Sequence, residues 1–538
     1  MTSTLVQEES TEQHETGWSW WPRKVARLTP ARAGVWRMVL AATAFAAAIW
    51  IGFAPLADPD LPMHLLVGEW ISRHGAVPFV EPFAWTRAGA PYFAYSWLAQ
   101  LGFYDLLRIG GPLGLHLLAA AAGASIVLSG AAAGRAFGLR PAGATVLGAL
   151  NAWIAAETTP FLRPQLFMHV LVPLAWVCAV ALSENTPRRR AHFVALASLF
   201  LIAGLAAGTH ITFPAVGAAL ALPLLAARRG SWRLALTPAL VFVAGCLASP
   251  YATVWLDVFR LNFAANALTV SGSPVGELGP GFRVSPIAGM LLGALPFLAR
   301  LGDLESDELA VYGLLWLAGL LVFGAYFKGL SPWWWCSLPL VARALRRLPT
   351  PSTRRVEVAF ATLPAAVLLA FSITNVRLYR ALRAHEGSVS ERTLPSIKAF
   401  ASDPAARWLR DNLNPNAKGR LLTNFTYGSY LRWRVPTLSE SIDSRNIFPD
   451  SAALPDVPSL RARSSPGPWR SADVAVVPIS YPAATLLDSD RAWKRVGTCA
   501  PSPWAVNAPR AGLWVRREWF ARNARVGHSL PETVLELD

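Results

Sequence analysis

Over the first two-thirds of the chain, apolar runs of roughly 17–22 residues, long enough to cross a hydrocarbon core of about 30 Å, alternate with short polar or proline-rich breaks. Within the runs the apolar positions show little helical periodicity, as expected of helices that are apolar on every side. The runs predict about eleven transmembrane helices, over residues 38–57, 112–134, 141–157, 165–183, 191–208, 211–227, 234–250, 286–298, 309–327, 332–345 and 356–375. After Asn375 the charge density rises and no further run of that length follows, so 376–538 reads as a separate soluble domain of ordinary size. Ser402-Asp403-Pro404 opens like a capped helix, and 419–424, 472–477 and 512–516 read as strands, which makes this domain a small α/β unit.

Composition and charge add an orientation. Of 538 residues, 53% are hydrophobic and only 15% charged, too few charges for a soluble protein of this length. Residues 1–34 are polar, end in an aromatic and basic stretch, and read as a cytoplasmic tail without a signal peptide. With that tail inside, Arg135, Arg140, Arg188, Arg189, Arg190, Arg228, Arg229, Arg233, Arg346, Arg347, Arg354 and Arg355 all fall on inside loops, as the positive-inside rule demands. An odd number of crossings then places 376–538 outside, in the periplasm if the membrane is a bacterial inner membrane. The net charge of +16 is accounted for by this asymmetry and by contact with anionic membrane lipids. No basic helix with interleaved base-reading residues points to nucleic acid. The four cysteines are divided between membrane helices and the tail, which leaves neither a disulfide framework nor a cysteine zinc site.

Under this topology the loop 58–111, the connections at 157–164 and 208–211, the loop 251–285, Lys328 and the tail domain share one face. The loop 58–111 begins Asp58-Pro59-Asp60-Leu61-Pro62-Met63-His64. Met63, Leu66, Val67, Trp70 and Ile71 repeat at helical spacing and predict an amphipathic helix on the membrane surface, with His64, Gly68 and Ser72 on its other side. Asp58 and Asp60 then stand at the membrane boundary. They could bind a divalent metal cation, or one could act as general base toward an acceptor hydroxyl; equally, Asp60 could only cap the helix and Asp58 only shape the turn. His64 could bind phosphate, share a metal, or be a polar residue at head-group level.

The loop continues with Gly75, Pro78, Glu81, Phe83, Ala84, Trp85 and Thr86, then Tyr95-Ser96-Trp97-Leu98-Ala99-Gln100. This series resembles bacterial polytopic proteins similar to the GT-C glycosyltransferases, the superfamily of the protein mannosyltransferases and lipid A aminoarabinose transferases. In that group D-x-D-x-x-x-H follows the first helix, then G-x-x-P-x-x-D-x-F-S-x-T and W-L-x-E. Here Glu81 replaces the usual Asp, Ala84 the Ser, Tyr95 a common His and Gln100 the Glu. The resemblance covers the whole architecture. It implies a GT-C-like helical polytopic membrane fold with a C-terminal extracytoplasmic α/β domain, a catalytic acid in the first outer loop, and a sugar donor carried on a polyprenyl phosphate.

Further candidates lie on the same face. Arg163, before Pro164, could clamp the lipid phosphate bidentately or snorkel to the head groups. His210 at the end of the fifth helix, Glu277 in the loop 251–285, Glu81 and Lys328 could face the site. In the tail, the stretch from Asn424 through Gly428, Tyr430 and Leu431, and the pair Asp443 and Arg445, resemble stretches of the same group; Asp443 and Arg445 could bind acceptor or pair with each other. The reading is therefore an inverting transfer of sugar from a polyprenyl-phosphate donor to a glycan, lipid or protein acceptor outside the membrane. The alternatives are a non-catalytic GT-C-like subunit in envelope polysaccharide assembly and a secondary transporter. The transporter is disfavoured because the acidic groups gather at one face and no inverted repeat is visible.

Overall fold

In a computed structural model of the chain, the described residues are 30–183, 189–228, 232–270, 286–300, 306–325, 329–347, 354–384, 403–441, 468–499 and 510–537, apart from positions 55, 57, 59, 160, 425 and 426. Every predicted apolar run contains helix. Among the described residues four helices are long and apolar enough to cross a membrane, or five if a pair bent by 102° counts as one span; shorter apolar stretches lie at Phe213–Ala227, Leu309–Leu321 and Thr362–Arg377. The chain is a multi-pass membrane protein whose helix bundle carries a small sheet domain.

The bundle opens with α1 (Pro30–Gly52), whose far end is followed at once by Asp58 and Asp60. Next come α2 (Leu61–His74) and α3 (Trp97–Ala136), a helix of 40 residues interrupted at Gly111. Gly111 has φ +58°, a conformation glycine adopts without steric penalty, and Pro112 follows it. The stretch before this break was expected to be loop; it is helical and packs on α2. Then follow α4 (Pro141–Thr158), α5 (Met168–Leu182), α6 (Arg189–Thr209), α7 (Ala221–Arg228), α8 (Arg233–Leu247) and α9 (Trp255–Val270). The last of these occupies a segment expected to be outer loop. The bundle closes with α10 (Pro286–Gly293), α11 (Leu295–Ala299), α12 (Ser306–Ala325), α13 (Leu330–Arg347) and α14 (Arg354–Ala384). The last helix returns to the first: Ser372 Oγ donates to the Ala46 carbonyl at 3.1 Å and Asn375 Nδ2 to that of Trp50 at 2.7 Å.

Contacts fix which helix ends lie together. The start of α1 (Trp36, Val39) packs on Ala142 at the start of α4, and Arg346 near the end of α13 donates to the Phe137 carbonyl. The opposite end of the bundle gathers Asp58, the end of α4, the start of α13 and the tail domain.

In the tail, β1 (Gly419–Thr423) runs parallel to both β2 (Leu438–Glu440) and β3 (Val474–Pro478). β5 (Ala511–Arg516) is antiparallel to β3 and to β4 (Trp493–Cys499), and β6 (Leu535–Leu537) runs parallel to β4, giving the order β2-β1-β3-β5-β4-β6. Every residue of β3 is buried, as expected of a strand covered on both faces. Asn424, Tyr427 and Gly428 serve this framework: Asn424 Oδ1 accepts the Tyr427 backbone N–H at 2.9 Å, and Gly428 opens α16 (Gly428–Arg434). The Tyr430 hydroxyl donates to buried Asp403, which opens α15 (Asp403–Asn412) and also pairs with Arg407 at 3.2 Å and Arg434 at 3.5 Å.

The tail is docked on the first long loop. α16 packs against α2, and Trp85 enters an apolar cluster with Leu422, Ala475 and Val477 of the sheet. Trp85 Nε1 donates to the Leu421 carbonyl at 3.3 Å, the Thr86 hydroxyl to that of Ser441, and the Ser439 hydroxyl to that of Phe83. This corrects the expectation of a surface helix with one polar side. Nine of the 14 residues of α2 are buried, because α3 and α16 cover two of its sides. His64 and Gly68 lie against α3.

Candidate active site

The site is built where α1 ends. Asp58 Oδ1 accepts the Asp60 backbone N–H at 3.1 Å, a side-chain turn that holds the two carboxylates on adjacent arms of the chain. Arg163 comes from the connection between α4 and α5. Its Nε donates to Asp58 Oδ2 at 2.6 Å and its Nη2 to Asp58 Oδ1 at 2.8 Å, a bidentate pair, while Nη2 stands 3.3 Å from Asp60 Oδ2. Asp60 occupies the cap position of α2, yet its side chain makes no capping hydrogen bond. The simple capping role is therefore not what its carboxylate does. Arg163 is likewise no snorkelling residue, since its side chain is 12% exposed and held by carboxylate.

Exposure separates the two acids: the Asp58 side chain is 1% exposed and that of Asp60 21%. Burial pushes the Asp58 carboxyl up from 3.8 to about 6; Arg163 opposes this and Asp60 adds to it. Asp60 is thus the carboxylate a substrate can reach, and Asp58 the one that holds the arginine.

Around the triad stand His64, Gln100, Tyr95 and His210. His64 is buried, edge-on to Phe103, and its Nδ1 accepts from Gln100 Nε2 at 3.2 Å. Burial lowers it to about 4, with Asp60 raising and Arg163 lowering it, so the ring is neutral at pH 7. Tyr95 is pushed up to about 12 by burial first and by Asp60 second, against Arg163, which places it in the field of the same pair. Its ring meets His210 edge-on at 6.1 Å, and His210 Nδ1 lies 2.8 Å from the Thr212 hydroxyl. Tyr95 and Gln100 had stood out only as departures from a motif; their neighbourhood with Asp60 and His64 gives them a place.

Other candidates are distributed differently. Glu81 is buried and its Oε1 accepts the backbone N–H groups of Phe83 at 2.9 Å and Ala84 at 3.0 Å, which shapes the turn that delivers Trp85 to the tail sheet. Glu277, Lys328, Asp443 and Arg445 lie outside the described residues.

The pair Asp58 and Asp60 does not fit a divalent cation. Both Asp58 oxygens are taken by Arg163, whose guanidinium stands between the carboxylates where a cation would sit. Among the described residues no group of three His, Cys, Asp or Glu could hold a metal ion.

A buried polar chain beneath the site escaped the sequence reading. Trp335 Nε1 donates to His169 Nδ1 at 3.2 Å, which leaves the proton on Nε2, 3.1 Å from Ser331 Oγ. Ser331 Oγ donates in turn to Thr158 Oγ1 at 2.9 Å, and Trp334 Nε1 to Asn151 Oδ1 at 2.9 Å. Polar groups in an apolar bundle must find such partners. This chain locks α4, α5 and α13 together just before the connection that carries Arg163. The available signal was Asn151 and His169 inside apolar runs.

The fold that presents these residues is GT-C-like. The chain is similar to ArnT from Cupriavidus metallidurans in two solved structures. One, bound to undecaprenyl phosphate, has a TM-score of 0.50 at 13% identity; the other, in the apo state, has 0.51 at 15%. Each comparison covers 90% of this chain and 98% of ArnT. At such identity the likeness is one of fold. No family model and no curated protein matches the sequence.

Proposed function

We propose that the protein transfers a sugar from a polyprenyl-phosphate donor to an acceptor glycan, lipid or protein on the extracytoplasmic side of a bacterial inner membrane. The observation that carries this reading is the triad at the end of α1: a half-open carboxylate, Asp60, beside a guanidinium that a second, buried carboxylate holds in place. It is supported by the GT-C fold and by the undecaprenyl phosphate bound to the similar ArnT. The orientation rests on the basic loops at the opposite end of the bundle.

In the reaction proposed, Arg163 binds the donor's phosphate. The guanidinium is always charged and carries five N–H donors, of which the Asp58 pair uses two. Asp60 takes the proton of the acceptor hydroxyl or amine as that atom attacks the sugar's anomeric carbon. The bond from that carbon to the phosphate oxygen breaks, and the electron pair leaves with polyprenyl phosphate, whose second negative charge Arg163 stabilises. Asp58 is a positioning residue acting through Arg163.

The test is turnover of a labelled donor by the purified full chain in liposomes. Release of polyprenyl phosphate when an acceptor fraction is added supports the transferase. Donor that binds but is never released identifies a non-catalytic subunit, and failure to bind it removes the polyprenyl-phosphate reading.

A further inference from the structure

A cavity of about 550 Å³ lies between α4, the α10–α11 pair and α13, away from the carboxylates. Trp153, Leu295, Val341 and Leu345 contribute apolar walls, and Arg300 and Arg347 contribute guanidinium groups. The arginines converge for a structural reason. Arg343 Nε donates to the Ala299 carbonyl at 2.8 Å, which fixes the end of α11 against α13. Arg347 stands one turn further along α13, on the same side as Arg343, and Arg300 directly follows Ala299. Arg346, between them, is used otherwise, on the Phe137 carbonyl.

The size falls in the range of ordinary ligand sites, about 300–1,000 Å³. Leu291, Phe297 and Leu298 line the cavity with exposed side chains, an apolar wall suited to hydrocarbon. What the protein selects is the head group. Both arginines are exposed and sit at helix ends, on the side of the bundle opposite Asp58.

We infer that this cavity is a binding site for one anionic phospholipid, with an acyl chain between α4 and α13 and the phosphate at Arg300 and Arg347. The inference does not depend on the reaction proposed above, because the two sites share no residue. In the proposed orientation the lipid belongs to the cytoplasmic leaflet.

The experiment is native mass spectrometry of the full chain released from nanodiscs made of equal parts phosphatidylglycerol and phosphatidylcholine. Retained phosphatidylglycerol should exceed phosphatidylcholine by roughly tenfold, as two arginines near a lipid phosphate allow. The excess should vanish in Arg300→Gln/Arg347→Gln. Leu291→Trp, which fills the cavity and leaves both charges, should lose the bound lipid altogether. Arg163→Gln should keep it. Equal retention of the two lipids, or an excess that survives the double substitution, overturns the inference. So does displacement of the phosphatidylglycerol by stoichiometric polyprenyl phosphate, which would assign the cavity to the donor. If the double variant does not fold, Leu291→Trp decides alone, since a full phosphatidylglycerol signal in that variant contradicts the site.

Discussion

Arg163 is bound by Asp58 through two hydrogen bonds, at 2.6 and 2.8 Å, and touches Asp60 by one contact at 3.3 Å. One carboxylate holds the arginine, and in the proposed reaction the other acts as the base. Removing the holder should therefore harm folding, and altering the arginine should harm donor binding. Asp58→Ala leaves a largely buried guanidinium without its main partner, at a cost of about 3–5 kcal/mol, read as a lowered thermal midpoint in detergent. Arg163→Lys keeps the charge but has three N–H donors in place of five, and cannot hold Asp58 bidentately while it also binds a phosphate. Losing one charge-assisted hydrogen bond should raise the donor KM roughly tenfold or more.

The Asp58 carboxyl gives the site a pH signature. Its folded value, about 6, lies above the ordinary 3.8. Between those values the folded chain keeps a proton that the unfolded chain has released, so this residue's contribution to stability falls as pH rises through that window and is constant above it. Transfer has the opposite sense. Below about 6 Asp58 is protonated and no longer holds Arg163 as an ion pair, so activity should fall on acidification. Both trends, measured as thermal midpoint and initial rate against pH, should disappear from Asp58→Asn.

At Gly68, one turn after His64, α2 packs directly on the backbone of α3. A Cβ there would stand 2.1 Å from the Gln100 carbonyl oxygen and 2.7 Å from Tyr104 Cβ. Backbone cannot give way as a flexible side chain can. Gly68→Ala should destabilise the fold by about 1–3 kcal/mol and weaken the contact of His64 with Gln100, with a lowered thermal midpoint as the readout.

Trp85 joins the first long loop to the tail sheet by packing, by its hydrogen bond to Leu421 and by the Arg420 guanidinium 5.5 Å from its ring. Trp85→Ala should loosen that joint. Hydrogen exchange should quicken in the loop around residues 80–91 and in β1 while the distant β4 and β5 keep their protection. Uniform quickening across the sheet would mean that the loop is part of the tail's core and not a joint.

The helices were legible because apolar runs of membrane length have few other uses. What local pattern hid was anything decided by a distant partner. α9 carries Asp257, Arg260 and Asn262 and so read as loop, although it folds back against α8 at 102°. Gly110-Gly111-Pro112 read as the edge of a membrane helix, and the chain does break at Gly111; what stayed hidden is that the segment before the break is helical too. Met63 to Ile71 gave the correct helix but the wrong setting, since nothing local announces that the tail covers its second side. Asp58 and Arg163 stand 105 positions apart; the asymmetry of basic loops set them on one face, but nothing local paired them. Tyr430 likewise takes its role from a distant partner, Asp403, 27 positions away.

The central claim is that the Asp60 carboxylate performs chemistry and does not merely cap α2. Asn caps a helix about as well as Asp, so Asp60→Asn removes the base and spares the fold. The decisive measurement is the rate of sugar transfer from a polyprenyl-phosphate donor by purified Asp60→Asn in liposomes, with donor binding measured on the same sample. A loss of about 10²-fold or more, the scale of a general base, with donor binding retained is the predicted result. Transfer at a near-normal rate would contradict the account.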